Sequence, residues 1–143
     1  MRALLDINVL IALFDADHPH HTLAASWLKD NIRLGWASCP LTQNGCLRVM
    51  AQPGYPNPVP VSQMAERLRE AARHSAHRFW PDEPSLLDPA LVDLSRVHGP
   101  RQITDTYLLL LAVRNKGRFV TFDAGVALAS VRGARKDQLV VLV

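Results

Sequence analysis

Cysteine is almost missing from this chain: its 143 residues hold two, Cys39 and Cys46. Two thiols build no disulfide framework, and their separation fits neither a zinc knuckle nor a redox motif. Both read as small apolar fillers in a reducing compartment. Long apolar runs are missing too, none reaching the roughly 20 residues that span a bilayer. Met1-Arg2 followed by Ala3 to Phe14 has the outline of a secretory leader. Asp6 and Asn8 interrupt it, however, and no small-residue cleavage site follows. No internal repeat or low-complexity tract occurs, and no Asp or Glu lies between residues 31 and 65. The expectation is a soluble cytoplasmic protein with no membrane partner.

What is present suits one compact domain over residues 1–143. Hydrophobic residues make up 48% of the chain and charged residues 20%, enough for a core and too apolar for general disorder. Sixteen Lys and Arg against 13 Asp and Glu give a net charge of +3, which permits a polyanionic partner without demanding one.

Ala3-Leu4-Leu5 reads as a short buried strand, and Trp36 to Cys39, Arg78-Phe79-Trp80, Arg118 to Thr121 and Leu139 to Val143 as further strands. Helical spacing predicts helices over Val9–Phe14, about His20–Arg33, from Pro40 towards Pro53, Ser62–Arg73 and Asp105–Lys116. Ser62 and Thr104 are the expected caps of the last two, and a further short helix is expected over Ala124–Ser130. Gln52 to Pro60 and Pro81 to Pro89 read as loops. Strands alternating with helices predict an α/β fold, three layers of α/β/α around a central parallel sheet.

In such sheets ligands bind beyond the carboxyl ends of the strands. Asp6 ends the first strand, Asp123 follows a strand end, and Asp105 opens the long helix. A carboxylate directly after a buried strand is desolvated unless it gains a partner. Asn8 adds a neutral oxygen close by, although it also suits the cap of the first helix. Clustered carboxylates without histidine or thiolate favour hard cations, Mg²⁺ or Mn²⁺. Such ions bind phosphate oxygens and acidify water, so an acidic pocket on a basic protein points towards phosphodiester hydrolysis.

Four segments then sharpen the reading. Asp6-Ile7-Asn8 resembles the opening of a PIN domain, and Pro40-Leu41-Thr42-Gln43-Asn44-Gly45-Cys46-Leu47-Arg48-Val49 resembles its second motif. Ile103-Thr104-Asp105-Thr106-Tyr107-Leu108 and Val120-Thr121-Phe122-Asp123 resemble the third and fourth. Their order, with His18-Pro19-His20-His21 and Trp27-Leu28, is similar to the VapC toxins, the ribonuclease half of type II toxin–antitoxin pairs. The resemblance implies a PIN fold, Mg²⁺ or Mn²⁺, cleavage of RNA of the tRNA or rRNA class, a homodimer and inhibition by a VapB-type antitoxin. It places the family's acidic positions on Asp6, Gln43, Asp105 and Asp123, with Asn8 and Thr104 as accessory polar groups.

Gln43 departs from the family, which carries Glu there. A Gln amide oxygen is a poor substitute for carboxylate around a hard ion. One rival reading is therefore a weak or inactive PIN-fold module that binds RNA or an antitoxin without cutting. A receiver-like phosphoacceptor domain is a second rival, but the layout of the three aspartates lacks its acceptor and late lysine. His18, His20 and His21 read as a solvated helix entry rather than a metal site, and His74 and His77 as surface groups. Trp27, Trp36 and Trp80 are expected in the core. Arg67, Arg69, Arg73 and Arg78 read as a solvated face paired with Glu66 and Glu70. Restoring the acid by Gln43→Glu is expected to raise RNA cleavage and Mn²⁺ affinity together. Equal values for both proteins in cleavage assays and calorimetry would defeat that expectation.

Overall fold

The computed structural model describes residues 1–143. Five strands form its sheet: β1 (Ala3–Leu5), β2 (Trp36–Ser38), β3 (His77–Phe79), β4 (Arg118–Thr121) and β5 (Leu139–Val141). All pairings are parallel, in the order β3-β2-β1-β4-β5. The two central strands are short and wholly buried along Ala3–Leu5 and Phe119–Thr121, as expected when helices cover both faces.

Side-chain alternation divides the core between those faces. Leu5, Trp36 and Val120 pack with Val9, Leu10, Ala24, Cys46, Met50 and Met64, which come from α1 (Ile7–Phe14), α2 (His21–Asn31), α3 (Pro40–Met50) and α4 (Val61–Ala72). Leu4, Ala37 and Phe119 face the other way, against Leu108 to Ala112 of α5 (Ile103–Arg114). The wholly apolar run inside α5 is thus explained: it is a core helix with no solvated stripe. The three-layer α/β/α expectation holds, and no helix is long and apolar enough to cross a membrane.

Several local readings change. The Asp6 side chain caps α1 by accepting from the Ile7 amide at 2.7 Å, so the helix starts at Ile7 and Asn8 lies inside it. Neither Ser62 nor Thr104 is a cap. Proline at 60 precedes α4, which begins at Val61, and a 3-10 turn over Pro100–Gln102 runs directly into α5. The expected helix at 124–130 shrinks to a 3-10 turn at Leu128–Ser130, beside the Val92–Val131 bridge. Trp36 and Trp80 are buried, Trp27 is half-buried, and both cysteines are buried free thiols. Burial pushes the Cys46 thiol up to about 12, so it is an inert filler. Arg69 and Arg73 pair with Glu66 and Glu70 as expected. His77 is no surface group, since it is half-buried with its ring 4.4 Å from that of Trp36.

The topology selects the site. From β1 the chain steps outward through β2 to β3, then returns through α5 to β4 on the other side of β1. The crevice at that reversal is where ligands bind in open α/β sheets. Because α5 feeds the start of β4, its own first turn lies at the carboxyl edge, level with Asp6 and Asp123. On the opposite face α1 and α3 meet at Gly45, where an added Cβ would lie 2.3 Å from Ile7 Cδ1. Gly45→Ala is therefore expected to destabilise the fold by about 1–3 kcal/mol, the cost of overpacking. Urea unfolding checks it, and an unchanged or raised midpoint would refute the close packing.

Candidate active site

Three aspartates converge at this crevice, each brought by a different element. Asp6 follows β1 and is 5% exposed. Its Oδ1 accepts from the Ile7 amide and its Oδ2 from Thr121 Oγ1 at 2.6 Å, while its own amide donates to Val120 O. Asp105 stands half-buried in the first turn of α5. Asp123 is exposed in the turn after β4, where its Oδ1 accepts from the Gly125 amide at 2.7 Å and its amide donates to Thr121 Oγ1. Thr121 therefore touches two of the three acids.

Their mutual influence is visible in their proton affinities. Burial raises Asp6 above the usual carboxylate range, against the lowering pull of its bonds from Thr121 and Ile7. Asp105 is pushed up to about 7, first by burial, then by the charge of Asp6 and by a hydrogen bond with the Asp123 carboxylate. Below about pH 7 the cluster therefore favours a proton on Asp105, facing Asp123. No cationic side chain compensates it, because every ion pair in the protein lies elsewhere.

An uncompensated set of carboxylate oxygens has the donor chemistry of a hard divalent cation. The residues fit Mg²⁺ or Mn²⁺ in that sense. They do not form a ready-made cage, since no three His, Cys, Asp or Glu side chains gather tightly enough to enclose an ion as they stand. Asp105 and Asp123 are joined directly, and Asp6 acts on them through charge alone.

The remaining predicted residues are placed differently. Gln43 is not in contact with the acids: its Nε2 donates to Ser38 Oγ at 3.0 Å, and Ser38 Oγ lies 2.8 Å from His77 Nε2. The reason is local, because Gln43 and Ser38 belong to consecutive elements and the amide finds a buried hydroxyl at the end of β2. Burial holds the His77 ring below its usual range, which keeps it neutral within this chain of contacts. Asn8 Oδ1 is buried without a partner, and so is Thr106 Oγ1 beside Asp105. Thr104 is exposed and makes no side-chain hydrogen bond. Thr121, Ser38 and His77 were missed by sequence reasoning. Of these, only Thr121 carried a signal, as a hydroxyl two residues before a candidate acid.

Known proteins resemble the chain over most or all of its length. The PIN domain profile matches residues 3–132. Ribonuclease VapC44 of Mycobacterium tuberculosis (strain ATCC 25618 / H37Rv) is 51% identical over 142 residues, covering 99% of this chain and 100% of the relative. Ribonuclease VapC38 of the same strain is 42% identical over 125 residues, 87% and 86% of the two chains. Ribonuclease VapC29 is 40% identical over 131 residues, 89% and 90% of the two.

The raised Asp105 makes the ion-free protein pH-sensitive. The folded state binds this proton more tightly than the unfolded chain, whose Asp has a value near 3.8. The stabilisation is complete below about 4 and is lost as pH rises through about 7. In EDTA, Asp105→Asn is expected to raise the melting temperature at pH 8 by about 4 °C, as roughly 1 kcal/mol does in a domain of this size. At pH 4 the two proteins should melt together. A variant that melts lower at pH 8 would show that the acids do not repel.

Proposed function

The chain belongs to the PIN-domain family, and on that premise we propose that it is the ribonuclease toxin of a VapBC-type pair, hydrolysing RNA phosphodiester bonds at the three-aspartate crevice. The observation that carries this reading is the uncompensated meeting of buried Asp6, half-buried Asp105 and exposed Asp123 at the β1–β4 reversal. Its closest support from outside the chain is the set of relatives named as ribonucleases that it matches over most or all of their length.

Asp6, Asp105 and Asp123 would hold Mg²⁺ or Mn²⁺, with Asp6 fixed by Thr121 and Ile7 so that it need not reorganise. Bound there, such an ion supplies positive charge for phosphate oxygens and lowers the pKa of water to the range where hydroxide is available. Asp105 must give up its proton before the three carboxylates can act together, so ion affinity rises with pH through about 7. Asn8 sits in the first turn of α1 with an unpartnered carbonyl oxygen, a spare acceptor for a ligand's donor. Gln43 is assigned no place among the metal-holding acids, because its amide nitrogen is committed to Ser38.

The substrate class we propose is structured RNA of the tRNA or rRNA type, whose loops offer exposed phosphates to a shallow cleft. A VapB-type antitoxin as inhibitor, a homodimer and a cytoplasmic location complete the reading. The rival, a PIN-fold module that binds without cutting, draws on Gln43 alone.

Cleavage of a mixed tRNA and rRNA substrate in Mn²⁺ tests the proposal. Asp6→Asn and Asp105→Asn should each lower the rate by about 100-fold or more, as loss of one preorganised charge-stabilising group does. EDTA should abolish cleavage. Full activity in either variant would reject the acidic site, and a chain with no RNA cleavage in any divalent ion would favour the non-cutting module.

A further inference from the structure

The histidine-rich entry to α2 does not lie idle in solvent. His20 packs its ring on Phe122, with centroids 4.9 Å apart and planes at 32°. His18 continues the row, its centroid 5.8 Å from that of His20. Phe122 is the residue between Thr121, which holds Asp6, and Asp123. Its Cα is therefore about 3.8 Å from that of Asp123. A ladder of three rings thus starts within one residue of the acids and leads outward along the surface.

The ladder is built rather than incidental. Phe122 is half-buried and seated on the core beneath α1. His18 Nδ1 accepts from the His20 backbone amide at 3.0 Å, and His21 Nδ1 contacts Ala12 O at 2.8 Å, pinning the loop to the end of α1. Those contacts use two of the ring nitrogens, which makes the trio a poor metal site. They leave the His20 ring exposed. Acids stand at both ends, Asp123 at one and Asp15 and Asp17 at the other, so the row is no phosphate site of its own, while exposed His20 presents an aromatic surface to a base.

We infer that His18, His20 and Phe122 form a stacking subsite for an unpaired nucleobase of the RNA, next to the phosphodiester presented to the aspartates. The inference rests on the ribonuclease reading and adds to it a preference for single-stranded substrate with a base beside the cut. Stacking tolerates any base, so the subsite selects for an unpaired nucleotide rather than for its identity.

Binding of a fluorescent single-stranded oligoribonucleotide, with cleavage blocked by Asp105→Asn, tests this apart from catalysis. Adding His20→Ala should weaken binding about tenfold, the loss of one base–ring stack. His20→Phe should restore it, and Phe122→Leu, which keeps apolar volume but removes the ring, should weaken it similarly. A duplex of the same sequence should bind all four proteins alike. In the cleaving protein, His20→Ala should raise KM more than it lowers kcat. Unchanged single-strand affinity in His20→Ala, an equal loss in His20→Phe, or a loss that tracks a fallen melting temperature would each overturn the subsite. A protein that stacks RNA through His20 yet cuts none in any divalent ion would support the subsite while rejecting the nuclease reading.

Discussion

The hydrogen bond from Thr121 to Asp6 is the contact on which the rest of the site depends. It is made possible by register: Leu5 pairs with Val120, so the next residue on each strand leaves the sheet side by side. One residue of slip would send Asp6 and Thr121 to different faces and expose the core positions beside them. The same threonine accepts from the Asp123 amide, so a single hydroxyl sets the separation of two acids that are 117 positions apart in sequence. Stability and site geometry are here one constraint. Nothing in α5 duplicates it, and Asp105 joins from across the crevice through charge and one shared proton.

That arrangement carries a cost which the fold tolerates elsewhere. A buried carboxylate and two neighbours without a cation oppose folding. The surrounding packing is correspondingly dense: Leu4, Leu5, Phe119 and Val120 are essentially inaccessible, and helices cover both faces. Among the protein's own cations, Arg69 and Arg73 serve Glu66 and Glu70, Arg2 serves backbone carbonyls and Arg118 stacks over Trp27. A single arginine turned towards Asp105 would relieve the repulsion and at the same time occupy the place a divalent ion would take. The absence of such a residue leaves the carboxylates uncompensated by any side chain of the protein.

Much of this was legible in the sequence, for reasons that differ by element. The apolar triplet Ala3-Leu4-Leu5 and the run Leu108 to Ala112 can only be buried, and each adjoins an acid, Asp6 after the first and Asp105 before the second, so sheet, core helix and candidate site followed together. Ends of elements were harder to read. Thr104 has the chemistry of a cap, but the 3-10 turn at Pro100–Gln102 already supplies the start of α5. The sequence suggests Asp6 as a ligand, and the structure makes it the cap of α1, with one oxygen on the Ile7 amide and the other on Thr121. His20 and Phe122 meet only through tertiary structure, and no spacing rule links residues 102 positions apart.

Gln43 shows most sharply how a motif position acquires meaning from its neighbours. As an amide it can donate to Ser38 Oγ, which leaves the Ser38 proton for His77 Nε2. That direction requires a neutral imidazole, which burial and the nearby Arg2 charge both favour. The ring also reaches the Ala72 backbone carbonyl, so its remaining N–H has an acceptor. Every member of the chain is then satisfied, and the chain carries no net charge. A carboxylate at position 43 has no proton to give. Ser38 would have to turn its own towards it, and His77 would have to supply the next, by changing tautomer or by taking up a charge. The amide is therefore matched to its serine and histidine, and the departure from the family's acid is a property of three residues rather than one.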